Sequence, residues 1–303
     1  MRVSVGTLTE NVIAQIRQAA ARMEAAQNAL STGKRISKPS DDPVGVARSL
    51  NLRSALAAIE QYQTNNSTAG TLLSAMETAF ETITNGLKEA RTIAVAAANS
   101  ALTPESKQGY AAQIDNIMER VLDALNTRQM DRYIFAGHAT DAQPFVASVG
   151  ANPYDYVGDS GILSIQIHTG TPVQVSMPGD VVANINGGAN PAIPDIFTSL
   201  RDLRSDVLGD NPSEVSANLE DVDAHISNIL SLRAQVGARI QKVEDLYNLT
   251  EDSKIRLKQL LSDTEDADLP EMVVELQTQQ QVYQAALAVA ASITRMTLVD
   301  WLR

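Results

Sequence analysis

Apolar residues recur along this chain at alternating steps of four and three. The first run reads Val5, Thr9, Val12, Ile16, Ala19, Met23, Ala26 and Leu30. That is a period-3.5 seam, the mark of a helix that packs along another helix. It stops at Ser31-Thr32-Gly33, where glycine is a natural helix end. The polar stretch Lys34 to Pro43 contains Pro39 and Pro43, which forbid a continuous helix. Asp42 is placed to cap the next helix and Pro43 to open it. That helix is far longer. Leu52, Ala55, Ile59, Tyr62, Asn66, Ala69, Leu73, Met76, Phe80, Ile83, Leu87, Ala90, Ala94 and Ala97 keep the same alternation, and only Asn66 is polar. Helix from Val44 to Asn99 would be roughly 84 Å long at 1.5 Å per residue. A stripe of that length cannot close round a compact core and needs partner helices along it. Thr103-Pro104-Glu105 then reads as the cap of a further helix, with Tyr110, Ile114, Ile117, Val121 and Leu125 as its stripe.

The texture changes over 137–195, which holds most of the prolines and many glycines. Ile162 to Ile167 and Val173 to Val175 alternate with period two, and Thr169-Gly170-Thr171-Pro172 between them reads as a turn. Helix resumes near Asp195. From Val215 the seam returns through Leu219, Val222, Ile226, Ile229, Arg233, Val236, Ile240, Val243, Tyr247, Thr250, Lys254, Leu257 and Leu261. Asp263 to Asp268 break it, as a solvated acidic linker. Pro270 suits the first turn of a last helix with two adjacent stripes. One is Leu269, Val273, Leu276, Gln280, Tyr283, Leu287 and Ala290. The other is Val282, Ala286, Val289, Ile293 and Met296. The terminal stripes can close on each other as an antiparallel pair within one chain. The excess apolar face on 269–301 favours burial between molecules instead.

The expectation is a mainly α fold: a long, heptad-patterned helical bundle with paired N- and C-terminal segments and a small β-rich insertion. The boundaries fall at 1–43 plus 264–303 for the terminal helices, 44–136 plus 196–263 for the long-helix rod, and 137–195 for the insertion. Candidate subunit-interface residues are Val5, Val12, Ile16, Met23, Leu30, Leu276, Tyr283, Leu287, Val289, Ile293, Met296 and Trp301.

Composition narrows the chemistry. The chain carries 36 acidic against 24 basic side chains, a formal charge of −12. That argues against a general nucleic-acid binder, which needs a cationic surplus. The charge is uneven: residues 1–60 are net positive and 195–275 strongly negative, so opposite halves can attract within or between subunits. With no cysteine there is no disulfide, thiolate metal site or cysteine nucleophile. The start shows no cleavable signal, since Glu10 and Asn11 interrupt any apolar run. The uncharged run Leu276–Thr294 contains five glutamines and does not read as a membrane span.

Candidate catalytic and ligand motifs are weak. Gly158-Asp159-Ser160-Gly161 echoes a protease nucleophile turn, with His138 upstream. A triad needs all three groups in hydrogen-bond reach, and a short β insertion reads more naturally as a loop. Gly33-Lys34 lacks the earlier glycine and the following Ser or Thr of a phosphate loop. The acidic run from Asp263 lacks the Gly and Glu of a calcium loop. His138, His168 and His225 are scattered through three regions. The sequons at Asn65, Asn66 and Asn248 fall on helices. No catalytic, cofactor-binding or metal residue is assigned, no cofactor is expected, and an enzyme is not.

Three motifs carry a resemblance. Ala29-Leu30-Ser31-Thr32-Gly33-Lys34-Arg35-Ile36, followed by Pro39-Ser40-Asp41-Asp42-Pro43-Val44-Gly45, is similar to the N-terminal signature of the flagellin superfamily. Its Pro-Ser-Asp-Asp-Pro form resembles the hook–filament junction branch more than flagellin, which tends to an Ala-Lys-Asp-Asp-Ala run. Tyr133-Ile134-Phe135-Ala136-Gly137, with Thr140 and Pro144-Phe145, resembles the motif that closes the second core helix in that family. The C-terminal Glu275-Leu276-Gln277, Tyr283-Gln284-Ala285-Ala286-Leu287 and Leu298-Val299-Asp300-Trp301-Leu302 are similar too, with Trp301 where Phe is usual. The resemblance covers about 1–145 and 200–303. It implies a structural protein of the bacterial flagellum at the junction of hook and filament, with a flagellin-type filament subunit as the alternative. It implies export through the flagellar type III route without a cleaved signal, and an extracellular place on the flagellum. Implied partners are other copies of the chain, the first hook-associated protein, flagellin, an export chaperone and the export apparatus; neither nucleic acid nor membrane insertion is implied. In such a protein the terminal helices form the inner polymer core, the rods surround it, and the insertion faces solvent.

Overall fold

A computed structural model describes residues 5–99, 102–148, 152–185, 193–209 and 212–301, with side chains except at 5–9, 99, 212 and 293–301. The chain is mainly α. Helix α1 runs over Val5–Thr32, α2 over Pro43–Asn99, α3 over Pro104–Leu125, α4 over Gly179–Ala183, α5 over Ile196–Gly209, α6 over Pro212–Glu265 and α7 over Leu269–Trp301. Among the described residues, six short strands lie between α3 and α5: β1 Arg128–Gln129, β2 Arg132–Tyr133, β3 Phe145–Ala147, β4 Tyr154–Tyr156, β5 Ser164–His168 and β6 Thr171–Gln174. They form three antiparallel hairpins, β1–β2, β3–β4 and β5–β6.

The helix ends fall where the punctuation residues demand. Gly33 takes the left-handed conformation, φ +68°, just past α1. Asp42 accepts the Gly45 N–H at 2.9 Å on its Oδ1, and Pro43 opens α2. Thr103 caps α3 by accepting the Ser106 N–H. Asp195 caps α5, its Oδ1 accepting the N–H groups of Phe197 and Thr198 at 3.0 Å each.

Two compact units divide the chain: Met1–Ala58 with Ser253–Arg303, and Ile59–Asp252. In the second unit the α2 seam is buried from Asn66 to Ala97 and the α6 seam at Val215, Val222, Ile229, Val236 and Val243, as their periodicity predicts. Helices α3 and α5 add Ile114, Ile117, Val121, Leu200 and Leu203 to one continuous core. All four phenylalanines of the chain are fully buried there. Phe80 and Phe135 lie 5.7 Å apart, and Phe145 meets Phe197 edge-on at 5.8 Å. This aromatic cluster fastens the β region to the helices.

Asn66, the one polar member of the α2 seam, has a definite task. Its Nδ2 donates to the carbonyls of Tyr62 (2.9 Å) and Ile167 (3.1 Å), and Asn65 Nδ2 donates to the Gln166 carbonyl at 2.7 Å. Together they occupy the open edge of β5, whose carbonyls would otherwise lack partners. Arg233, a basic member of the α6 seam, pairs with Glu77 at 2.6 Å, half-buried.

The first unit departs from expectation in two places. Helix α6 continues through Asp263, Thr264 and Glu265, where a solvated linker was expected, and Thr264 and Glu265 are buried. The cause is a set of cationic partners supplied from residues 34–53, described below. On α7, Met272, Leu276, Gln279, Tyr283, Ala286 and Ala290 are the buried or half-buried positions. The first of the two expected stripes shares Leu276, Tyr283 and Ala290 with this seam and the second shares Ala286, whereas Leu269, Val273, Gln280, Val282, Leu287 and Val289 are exposed. The pairing face therefore lies between the two stripes.

Candidate assembly surface at the terminal helices

Helix α1 packs along α7. The direction is antiparallel, because the chain just after α1 bonds to the chain just before α7. Ala267 N–H donates to the Gly33 carbonyl at 2.9 Å, and Lys34 and Asp266 form an isolated bridge. Ala19 and Ala26 are buried in this seam, with Val12, Ile16, Met23 and Leu30 half-buried beside them. Small residues at alternate layers let the two helices approach closely. The pair accounts for one face of α7 only. Leu269, Val273, Val274, Val282, Leu287 and Val289 remain outside it, with Val274 63%, Leu287 44% and Val289 52% exposed. These side chains lie on both flanks of the α1 seam, Leu269, Val273 and Leu287 on one and Val282 and Val289 on the other, and they are more than scattered surface residues.

Of the candidate interface residues, Val12, Ile16, Met23, Leu30, Leu276 and Tyr283 come together in the α1–α7 pair. Leu287 and Val289 lie exposed on opposite flanks of that pair. The side chains of Val5, Ile293, Met296 and Trp301 lie outside the described residues.

The strap between α1 and α2, residues 33–42, explains its own sequence. Asp41 Oδ2 accepts the N–H groups of Ser37 (3.2 Å) and Lys38 (2.8 Å) and the Ser37 hydroxyl (3.1 Å), closing a turn. The Lys38 N–H, with Ser37's, holds that carboxyl below its ordinary range. Ile36 is buried, and a Cβ at position 45 would crowd its Cδ1 (2.6 Å) and the capping Asp42 carboxylate, so a side chain there would displace both. Pro-Ser-Asp-Asp-Pro-Val-Gly is thus a folded turn, a cap and a cleft for one isoleucine.

Glu265 anchors this strap and is the residue that sequence reasoning missed. It is only 5% exposed. Its Oε2 accepts from Lys34 Nζ at 3.0 Å and from Arg53 Nη2 at 2.6 Å. Arg53 and Lys34 hold its carboxyl below the usual range, overcoming the opposing effect of burial. Its main-chain carbonyl accepts the N–H groups of Arg35 (2.7 Å) and Ile36 (3.4 Å).

The residues weighed for catalysis are used structurally. Asp159 Oδ1 accepts the N–H groups of His138 (2.8 Å) and Gly161 (2.7 Å), and these hold its carboxyl below the ordinary range. The Ser160 hydroxyl donates to Asp180 Oδ2 at 2.6 Å. Gly137 has φ +69° and lies against the Asp159 carbonyl, which leaves no room for a side chain. Tyr156 Oη sits between the carbonyls of Phe135 and Asp159, and burial pushes its pKa up to about 12. His168 stacks on Tyr62 at 5.8 Å. His225 is buried, with Nε2 3.1 Å from the Ser199 hydroxyl, and burial pushes its pKa down to about 4. Among the described residues no group of three His, Asp or Glu could hold a metal ion, and no helix is long and apolar enough to cross a membrane.

Comparison with known proteins agrees with this geometry. Residues 3–140 match the family model of the bacterial flagellin N-terminal helical region, and residues 219–302 that of the bacterial flagellin C-terminal helical region. The chain belongs to the flagellin family, whose members are structural proteins of the flagellum. Within that family it is similar over nearly its whole length to flagellar hook-associated protein 3. The Escherichia coli K12 protein is 26% identical over 275 residues, covering 85% of this chain and 86% of that one. The Salmonella typhimurium protein is 24% identical over 316 residues, covering 98% of each. The crystal structure of the flagellar junction protein FlgL from Legionella pneumophila shares the fold, with TM-score 0.59 at 17% identity, over 74% of this chain and 100% of that one. Flagellins match as well, at 20 to 23% identity.

Proposed function

We propose that this chain is a structural subunit of the bacterial flagellum that joins the hook to the flagellin filament, and that it performs no catalysis. The observation that carries the reading is the α1–α7 pair with apolar side chains left exposed on both of its flanks along α7. A helix that satisfies one partner and exposes Leu287 and Val289 beside it is built for neighbours of its own kind. In this reading residues 1–43 and 264–303 form the inner core of the polymer, 44–136 and 196–263 the surrounding rods, and 137–195 the solvent-facing insertion. The partners are further copies of the chain, the first hook-associated protein on one side and flagellin on the other. An export chaperone and the flagellar export apparatus precede them, and the chain ends outside the cell without losing a signal. A flagellin-type filament subunit is the second reading, supported by the flagellin matches.

Location separates the two. The chain has no cysteine, so Asp155→Cys, at an exposed position of β4, gives one labelling site in the insertion. Maleimide-gold on isolated hook–filaments is expected as a single narrow band between hook and filament. Label along the whole filament would replace the junction reading with the flagellin one.

A further inference from the structure

We propose that Glu265 is the positioning residue of the terminal pair: its carboxylate pins the strap 33–42 to the turn between α6 and α7, tying order at one chain end to order at the other. The cations that meet on Oε2 come from two elements, Lys34 from the strap and Arg53 from α2. They lie 231 and 212 residues away in sequence. Around them the main chain is stitched in both directions. The Glu265 carbonyl takes the Arg35 and Ile36 N–H groups, the Gly33 carbonyl takes the Ala267 N–H, and Arg35 Nη2 donates to the Thr264 carbonyl at 2.9 Å.

The members of this cluster are not equivalent. The Lys34 and Arg53 side chains are 43% and 52% exposed and can be solvated without Glu265, whereas the Glu265 side chain is 7% exposed. A buried carboxylate left without its cations is costly, so it holds them firmly. Removing its charge frees the strap, while Ile36 against Gly45 still gives the segment an apolar foothold. The expected outcome is a loosened strap rather than an unfolded chain. The end of α1 and the start of α7 are set by this strap, so their pairing loses its fixed register. The consequence for assembly rests on the junction reading; the pin itself does not.

The test is hydrogen exchange on the full-length purified chain. Glu265→Gln is expected to speed exchange at the Arg35, Ile36 and Ala267 amides by about tenfold, and Arg53→Gln by a smaller factor in the same direction, since local opening follows the lost charge-assisted bonds. Amides of Ile83 and Val222 in the second unit are expected to stay unchanged. Asp263→Asn removes the same charge one half-turn away at an exposed site and is expected to change nothing. If Glu265→Gln unfolds the chain, Arg53→Gln decides alone. Exchange within about twofold of wild type in the deciding variant, or equal acceleration by Asp263→Asn, overturns the pin. In cells, Glu265→Gln is expected to lower assembly on the flagellum. A loosened strap with wild-type assembly overturns the positioning role, and the gold-label position tests the junction reading separately.

Discussion

Phe135→Ala is expected to remove about 4 kcal/mol of stability from the unit 59–252, the usual cost of emptying a fully buried phenylalanine site. The ring is wholly inaccessible and packs 5.7 Å from Phe80. The residue's carbonyl accepts the Gly179 N–H at 2.9 Å and lies 3.0 Å from the Tyr156 hydroxyl. One residue therefore joins α2, the chain after β2, the β4 strand and α4. A cavity here removes packing on several sides, and neighbouring backbone bonds resist collapse into it. Urea unfolding followed by circular dichroism reads the effect, and the thermal midpoint is expected to fall by roughly 10 °C. A loss under about 1 kcal/mol would mean that the aromatic cluster is not what holds the β region to the helices.

The double substitution Leu287→Asp with Val289→Asp is expected to separate assembly from folding. The two side chains flank the α1 seam on opposite sides of α7, 44% and 52% exposed. In the free chain each carboxylate stays hydrated, so the thermal midpoint is expected to move by no more than about 2 °C. Between subunits each would have to be buried unpaired, at several kcal/mol. Cells carrying the variant are expected to make hooks without attached filaments and to lose flagellin to the medium. A melting point many degrees lower, with filaments still attached, would place these flanks inside the monomer instead.

Long-range order was legible where one face of a helix repeats for many turns. The α2 seam from Ala69 to Ala97 is buried position by position as the spacing predicts, because a period of 3.5 sustained that long has one packing solution. The ends of α2 and α3 were legible because Asp42, Pro43, Thr103 and Pro104 act through their nearest neighbours. The β1–β2 and β3–β4 hairpins were not, since strands of two or three residues are too short to show an alternation. Asn66 stood out in its seam, yet its partner carbonyl is 101 residues away. Glu265 was hidden for the same reason: amid Asp263, Asp266 and Asp268 it looks solvated until Lys34 and Arg53 arrive. The α7 seam that meets α1 runs between the two stripes, because α7 is apolar over more than one face and its own pattern does not say which face meets α1.

Other subunits are expected to cover the apolar side chains that the α1 pair leaves exposed on the flanks of α7. A single cysteine at Val289, in a chain that otherwise has none, reports it directly. Maleimide labelling is compared between the purified chain and intact flagella, with Asp155→Cys as the exposed reference. Rapid labelling of Val289→Cys in the free chain and strong protection in flagella, while Asp155→Cys reacts in both, is the predicted result. Equal reactivity of Val289→Cys in the two states would contradict it.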